Sequence, residues 1–257
     1  LPTVIRQVIE SGFELVSLDE AHARMAASDA KLPPGTRPFA CFTLDDGYRD
    51  NRDYAYPIFR SFGVPFTIYV APEFADGRGE LWWLTLEDTV NAGVPLTLDI
   101  DGRKKRFDCE TPASREKAFQ TIYWWLRTLP DADVRRNVRE LAAQAGIDPY
   151  ARCRDLVMNW DELRELAADP LVTIGAHTLS HVAVAKLPQA EARDEMAGSL
   201  TRIEQELNRP CRHFSYPYGD PSSVSARDAR LAADLGFKTA VTTSKGVVRA
   251  NGTSDLH

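Results

Sequence analysis

Apolar residues in this chain fall into two patterns that alternate along its length: short dense runs and longer spaced stripes. Phe39 to Leu44, Val64 to Ala71, Leu171 to Ala176 and Phe237 to Thr242 are dense runs of this kind, and Arg212 to Tyr216, more polar, reads as a strand ending in Pro217-Tyr218-Gly219. Such runs predict strands of a buried sheet. The stripes between them have helical spacing. Asn51 to Phe62 is a helix stopped by Gly63, and Asn159 caps a helix running through Ala168. Gln189 to Leu207 is a long helix, and Ala226 to Leu235 is one ended by Gly236. Ahead of these, Pro2 to Ser28 reads as helix, a short extended piece (Phe13 to Ser17) and a helix opened by Asp19. Lys31 to Pro38 is a Pro/Gly connector. Strands alternating with helices imply a parallel sheet, open or closed into a barrel.

The pattern changes between about Gly79 and Asp155. Leu96 to Phe107 alternates on either side of Asp101-Gly102, which predicts a β-hairpin. Two amphipathic helices follow, Ser114 to Leu129 and Ala132 to Ala145, separated by Pro130 and closed by Gly146. The stretch reads as an insertion or subdomain, at about 79–155, in a chain that is otherwise one domain.

Composition narrows the partners. At 44% hydrophobic residues the chain of 257 residues can bury a substantial core. A net charge of −6 disfavours nucleic acid or an anionic membrane as the main partner and suits a neutral or weakly cationic substrate. No apolar run reaches the ~20 residues of a membrane span, and no signal peptide is visible. The chain starts at Leu1 without an initiator Met, consistent with removal of a leader or upstream segment. Cys41, Cys109, Cys153 and Cys211 are widely spaced and form no C-x-x-C pair. They read as buried thiols rather than a disulfide framework or zinc knuckle, and point to the cytoplasm.

Three polar clusters follow predicted strands, so they gather at the strands' carboxyl ends, where active sites sit in such folds. In Thr43-Leu44-Asp45-Asp46-Gly47, two adjacent carboxylates repel each other and need a cation or a nest of backbone N–H groups. One Asp can then bind a metal while its neighbour handles a proton; alone, the motif also reads as a charged turn. In His177-Thr178-Leu179-Ser180-His181, two histidines four apart lie on one face of a helical turn, close enough to share an ion. Solvated or capping histidines are the plain alternative. Together the clusters offer His, His and Asp, a facial set for a divalent metal. In the third, Phe214-Ser215-Tyr216-Pro217-Tyr218-Gly219, a turn after a strand can aim a backbone N–H at a developing oxyanion, or merely pack two aromatics.

In this order the three clusters resemble the polysaccharide deacetylase family (NodB-homology domain, carbohydrate esterase family 4). Asn159-Trp160-Asp161-Glu162-Leu163, leading into Val172 to His177, is similar to that family's approach to its histidine motif. The similarity covers about Gly12 to Ala71 and Val157 to Thr243. It implies a distorted (β/α) barrel with fewer than eight strands. It implies that Asp45 is the catalytic base, that Asp46, His177 and His181 bind the metal, and that the Tyr218 N–H helps hold the oxyanion. By ligand type the metal is Zn²⁺, with Ni²⁺ or Co²⁺ able to substitute. The implied activity is removal of acetyl groups, N-acetyl first, from a glycan. The alternatives are O-acetyl ester or non-sugar amide hydrolysis on the same site, and a non-catalytic glycan-binding relic.

Two departures stand out. Many family members carry an Arg two residues before the Pro of the third motif, where this chain has Ser215. The family's late motifs, including the Leu-x-His that supplies the general acid, have no clear match. Leu256-His257 sits too near the end for that role, which leaves the acid unassigned and fits a chain lacking native C-terminal residues. Trp82-Trp83 reads either as a sugar subsite or as packing, whereas Trp124-Trp125, mid-helix, reads as core. His22 and His213 read as structural, and Arg103 to Arg106 as a solvated face.

Overall fold

The structure, a computed structural model, describes residues 1–26 and 37–246. Leu256-His257 and most of the Lys31 to Pro38 connector lie outside the described residues. The strands are β1 (Glu14–Leu15), β2 (Phe39–Ala40), β3 (Phe42–Leu44), β4 (Phe66–Val70), β5 (Leu96–Ile100), β6 (Arg103–Phe107), β7 (Val172–Ala176), β8 (His213–Ser215) and β9 (Thr239–Val241). The helices are α1 (Pro2–Glu10), α2 (Leu18–Ala26), α3 (Tyr56–Phe62), α4 (Pro72–Ala75), α5 (Trp82–Asn91), α6 (Pro112–Leu126), α7 (Asp131–Ala145), α8 (Ala151–Leu156), α9 (Trp160–Ala167), α10 (Gln189–Leu207) and α11 (Ala226–Asp234). Two compact units divide the chain: Leu1–Asp76 with Val157–His257, and Gly77–Leu156. Among the described residues no helix is long and apolar enough to cross a membrane.

The first unit is built on a five-stranded sheet in the order β3-β4-β7-β8-β9, with every pairing parallel. Spatial order follows chain order. Right-handed crossovers that always step the same way leave the helices on one face, and the twisted sheet then curls as a barrel wall does. With β1 and β2 forming a separate parallel pair, this is a distorted (β/α) barrel of fewer than eight strands. Phe66, Ile68 and Val70 of β4, with Val172, Ile174 and Ala176 of β7, enter one hydrophobic core with Leu163, Met196, Ile203 and Leu231 of the helices. The alternate residues face the inside of the curl. There Gly175 lies opposite Tyr69, and a Cβ at 175 would stand 2.5 Å from the Tyr69 ring, so glycine is what lets that ring lie across β7.

Helices α4, α5 and α8 stand where the sequence pattern marks none, and two of the marked elements take a different course. The run Phe39 to Leu44 is broken at Cys41, because the chain changes partner there: β2 pairs with β1, whereas β3 pairs with β4. The stripe Asn51 to Phe62 begins with a wide π-type turn over Asn51–Ala55, in which the Tyr56 N–H donates to Asn51 O. Pro57 has no N–H to give the carbonyl four residues back, so the helix enters α3 from a wider turn.

The second unit holds the antiparallel β5–β6 hairpin, turned at Asp101 and Gly102, which both have positive φ (54° and 78°) as a type I′ turn demands. Leu96 and Leu98 of β5, Leu86 and Val90 of α5, Ile122 and Leu126 of α6 and Val138 and Leu141 of α7 are buried in it. Trp82 is buried and stacks on Tyr123 at 5.2 Å, so packing, not a sugar subsite, accounts for it. Trp124 corrects the sequence reading in the other direction. It is 63% exposed, because the core-facing positions of α6 are Ala118, Ile122 and Leu126. Arg103 to Arg106 are exposed as expected, and the four cysteines, three of them buried, form no disulfide.

Candidate functional site

The three clusters leave the carboxyl ends of β3, β7 and β8, which lie at the same edge of one parallel sheet, with β4 between β3 and β7. Asp45 and Asp46 follow β3, where the pleat alternates. Asp45 is exposed, while Asp46 turns into the left-handed region (φ 68°) and half-buries its carboxylate. His177 follows β7 and prolongs its pairing with β4, its N–H donating to Val70 O at 3.1 Å. His181 lies four residues on, but not on a helical turn. Thr178 (φ 58°) and His181 (φ 62°) are both left-handed, and the segment loops instead of winding. The loop brings the two rings to 4.9 Å, the proximity that helical spacing had been invoked to provide.

The Asp46, His177 and His181 ligand atoms all lie within 4.8 Å of one another. Asp46 Oδ1 stands 3.2 Å from His181 Nε2 and 3.5 Å from His177 Nε2. Both rings are buried, and Phe74 stacks on His181 at 5.2 Å. Hydrogen bonding decides the His177 tautomer. Its Nδ1 is 2.8 Å from the Ser215 carbonyl, which can only accept, so Nδ1 carries the proton. In the neutral ring Nε2 then presents a lone pair to the Asp46 carboxylate, an arrangement that is repulsive unless a proton or a cation lies between them. Asp46 Oδ1 is buried without a hydrogen-bond partner. Two ring nitrogens and a carboxylate oxygen converging in a nearly dry spot are the donor set of a divalent ion, and the residues present fit one.

The charges agree. Burial alone would raise the Asp46 pKa, but the imidazoles of His181 and His177 outweigh it and hold this carboxyl far below the usual range. Burial alone would push His177 down, yet Asp46, Asp45 and the Ser215 carbonyl together raise it. The site thus favours positive charge between Asp46 and the rings.

Backbone strain concentrates in the same place. Of six non-glycine residues with positive φ among the described residues, Asp46, Thr178, His181 and Tyr218 belong to the three clusters. Each such conformation costs on the order of 1 kcal/mol or more and persists only where surrounding bonds enforce it. Tyr218 (φ 66°) is held by Thr243, whose hydroxyl donates to Tyr218 O at 3.0 Å and whose N–H donates to Gly219 O at 3.1 Å. A Cβ at Gly219 would meet the Thr243 nitrogen at 2.6 Å, so the staple closes only over glycine.

Sequence reasoning missed Ser215, Phe74 and Thr243 as builders of the site. Ser215 had registered only as a missing Arg, yet its contribution is a main-chain carbonyl that any residue carries. No side-chain pattern signals that. His213 is buried, as expected, with Nδ1 2.9 Å from the Thr239 hydroxyl.

Comparison with known proteins adds the following. The model of the family described as polysaccharide deacetylase matches residues 150–240. No curated protein matches the chain. Among solved structures, the deacetylase PplD of Streptococcus pyogenes, in complex with acetate, superposes with a TM-score of 0.57 at 16% identity, covering 96% of this chain and 73% of that one. The BpsB deacetylase domain from Bordetella bronchiseptica gives 0.57 at 16% identity, over 98% and 81%. IcaB from Ammonifex degensii gives 0.56 at 16% identity, over 98% and 78%. Likeness at this identity is likeness of fold.

Proposed function

We propose that this chain, which belongs to the polysaccharide deacetylase family by its sequence over residues 150–240 and carries that fold, is a metal-dependent hydrolase removing acetyl groups, N-acetyl first, from a glycan. The observation that carries this reading is the convergence of Asp46 Oδ1, His177 Nε2 and His181 Nε2 beside an exposed Asp45. Asp46, His177 and His181 would hold the ion. A donor set of two imidazoles and a carboxylate suits Zn²⁺, with Ni²⁺ or Co²⁺ as substitutes. When bound, a divalent ion supplies Lewis acidity to the acyl carbonyl and to the attacking water.

The chain's own groups do the rest. Asp45, next to the cluster but outside it, accepts the proton of the water that attacks the acyl carbon, as a general base. Asp46 is unsuited to that task, since the neighbouring imidazoles hold its carboxyl far below the range of a working base. Ser215 O keeps the His177 proton on Nδ1, so that Nε2 stays a donor of electrons. The Tyr218 N–H, fixed by the Thr243 staple, stabilises the oxyanion as the carbonyl carbon becomes tetrahedral.

The test is acetate release by metal-free and Zn²⁺-, Ni²⁺- or Co²⁺-loaded protein on chitooligosaccharides and on acetylated xylan. Release from the first only supports N-deacetylation, and release from the second only makes the chain an ester hydrolase. Glycan binding without acetate from either, with metal bound, would leave a binding relic.

A further inference from the structure

The loop from His177 to His181 is short, buried at His177, Thr178 and His181, and twice left-handed, so something outside it must hold its shape. Its own Thr178 hydroxyl accepts the Val182 N–H at 3.1 Å, and Leu179 O accepts the Glu73 N–H of α4 at 3.0 Å. The largest share comes from one residue in the middle of α10. Glu195 O accepts the Leu179 N–H at 3.0 Å. The Glu195 carboxylate accepts the Ser180 N–H at Oε2 (3.0 Å) and the Ser180 hydroxyl at Oε1 (2.8 Å). A carboxylate taking two donors from the residue directly before His181 fixes both the peptide plane and the side chain there.

We infer that Glu195 is the positioning residue of the metal centre: by clamping Ser180 it holds His181 in its left-handed conformation with Nε2 facing Asp46. This rests on the metal reading proposed above and concerns what shapes the site. The physical argument is one of competition. Left to itself, His181 relaxes toward negative φ, because the left-handed region is unfavourable for any side chain with a Cβ. Turning that residue swings the ring away from Asp46 Oδ1. Bonds on the residue before it, anchored to a 19-residue helix, oppose the turn. A site for a divalent ion tolerates displacements of only ~0.5 Å, so losing the clamp affects the ion before it affects the fold. In this account Glu195 acts through Ser180.

The experiment is calorimetric titration of Zn²⁺ into the metal-free chain, for the wild type, Glu195→Ala and Glu195→Gln, with melting curves of the metal-free forms. Glu195→Ala removes both carboxylate bonds and should raise the Zn²⁺ Kd about 10- to 100-fold, the usual cost of losing a group that orients a ligand. Glu195→Gln keeps an oxygen for the Ser180 N–H and an amide that can donate to the Ser180 hydroxyl, so it should recover most of the affinity. A purely structural role predicts the opposite split, a lower melting temperature at unchanged Kd. Should Glu195→Ala fail to fold, Ser180→Ala, which removes the hydroxyl bond alone, should still weaken Zn²⁺ several-fold. Wild-type Kd in Glu195→Ala, or in Ser180→Ala where the former does not fold, overturns the inference. Failure of the wild type itself to bind Zn²⁺ is a separate result, which overturns the metal reading before any variant is compared.

Discussion

Strand β4 and the loop that leaves the carboxyl end of β7 both hold deeply buried residues, but for different reasons. In β4 every residue is inaccessible, and the face formed by Phe66, Ile68 and Val70 is held by apolar contact alone, on regular extended backbone. One residue past β7 the chain is as deeply buried at His177, yet it carries a buried imidazole, and two left-handed residues follow. The core holds its shape by removing surface from water, a non-directional effect. The loops hold theirs by named hydrogen bonds from α10, β8 and the end of β9, each of them directional. Substitutions in the first region should therefore change stability and leave chemistry alone, and those in the second should do the reverse.

The sharpest break of that contrast is Asp45→Asn. An amide cannot take the water's proton, and loss of a general base costs roughly 10²–10⁴ in rate. Turnover should fall by that much with metal content and melting temperature nearly unchanged, since the change is almost isosteric at an exposed residue. Wild-type acetate release by this variant would show that the base lies elsewhere. His181→Ala belongs beside it. It should lower metal affinity, and excess metal should restore part of the activity.

Ile174→Ala tests the other region. Ile174 is buried in the β7 layer of the core, and truncating such a side chain costs roughly 2–5 kcal/mol. Chemical denaturation should show that loss while Zn²⁺ affinity of the folded protein stays at the wild-type value. A large change in affinity without loss of stability would end the proposed division of labour.

Thr243→Val is subtler. It keeps the shape and removes the hydroxyl that holds Tyr218 O, a bond worth about 0.5–1.5 kcal/mol, or up to about tenfold in kcat. We expect kcat to drop with KM and metal affinity unmoved; a change in KM alone would mean that Tyr218 serves binding and not the oxyanion.

The smallest effect concerns acid. Glu162 caps α9 through the Asn159 N–H and pairs with Arg49 and Arg52. Burial alone would raise its pKa, but these partners outweigh it and bring it to about 2. Because that lies below the unfolded value of ~4.3, the group stabilises the fold above that value and loses its contribution as pH falls from ~4.3 toward 2. Glu162→Gln should be less stable than wild type at pH 7, and the gap should narrow over that acid range. A gap that is constant with pH would mean that the ion pairs contribute nothing.

Much of this was legible in the sequence, and the limits have physical causes. The dense apolar runs located β3, β4, β7 and β9 of the parallel sheet, because strands that enter the core carry apolar side chains, whereas β8 is buried with a His and a Ser in it and carries no such run. The split at Cys41 was not legible. Which strand pairs with which is a choice between distant partners, and the run itself looks the same either way. The three clusters could be singled out because each follows a strand, and Asp46, His177 and His181 do meet in space. The mechanism assumed for the meeting was wrong: positive φ at Thr178 and His181 replaces the helical turn, and nothing in those side chains announces it. Trp124 misled because an apolar residue in a helix defaults to the core, whereas its position falls on the outer face of α6.

By itself, then, the sequence determined the alternation of strands and helices, the end of the sheet at which chemistry gathers, and the residue types available there. These are local properties, carried by periodicity and by what each side chain can do. Tertiary structure alone decided the His177 tautomer, through a carbonyl 38 residues away. It also decided the clamp of Glu195 on Ser180 across 15 residues, and the staple of Thr243 on Tyr218 across 25. Each of those is a directional bond between segments that meet only once the sheet has fixed its register and the helices have docked, and one-dimensional patterning holds no record of a distance that folding has yet to set.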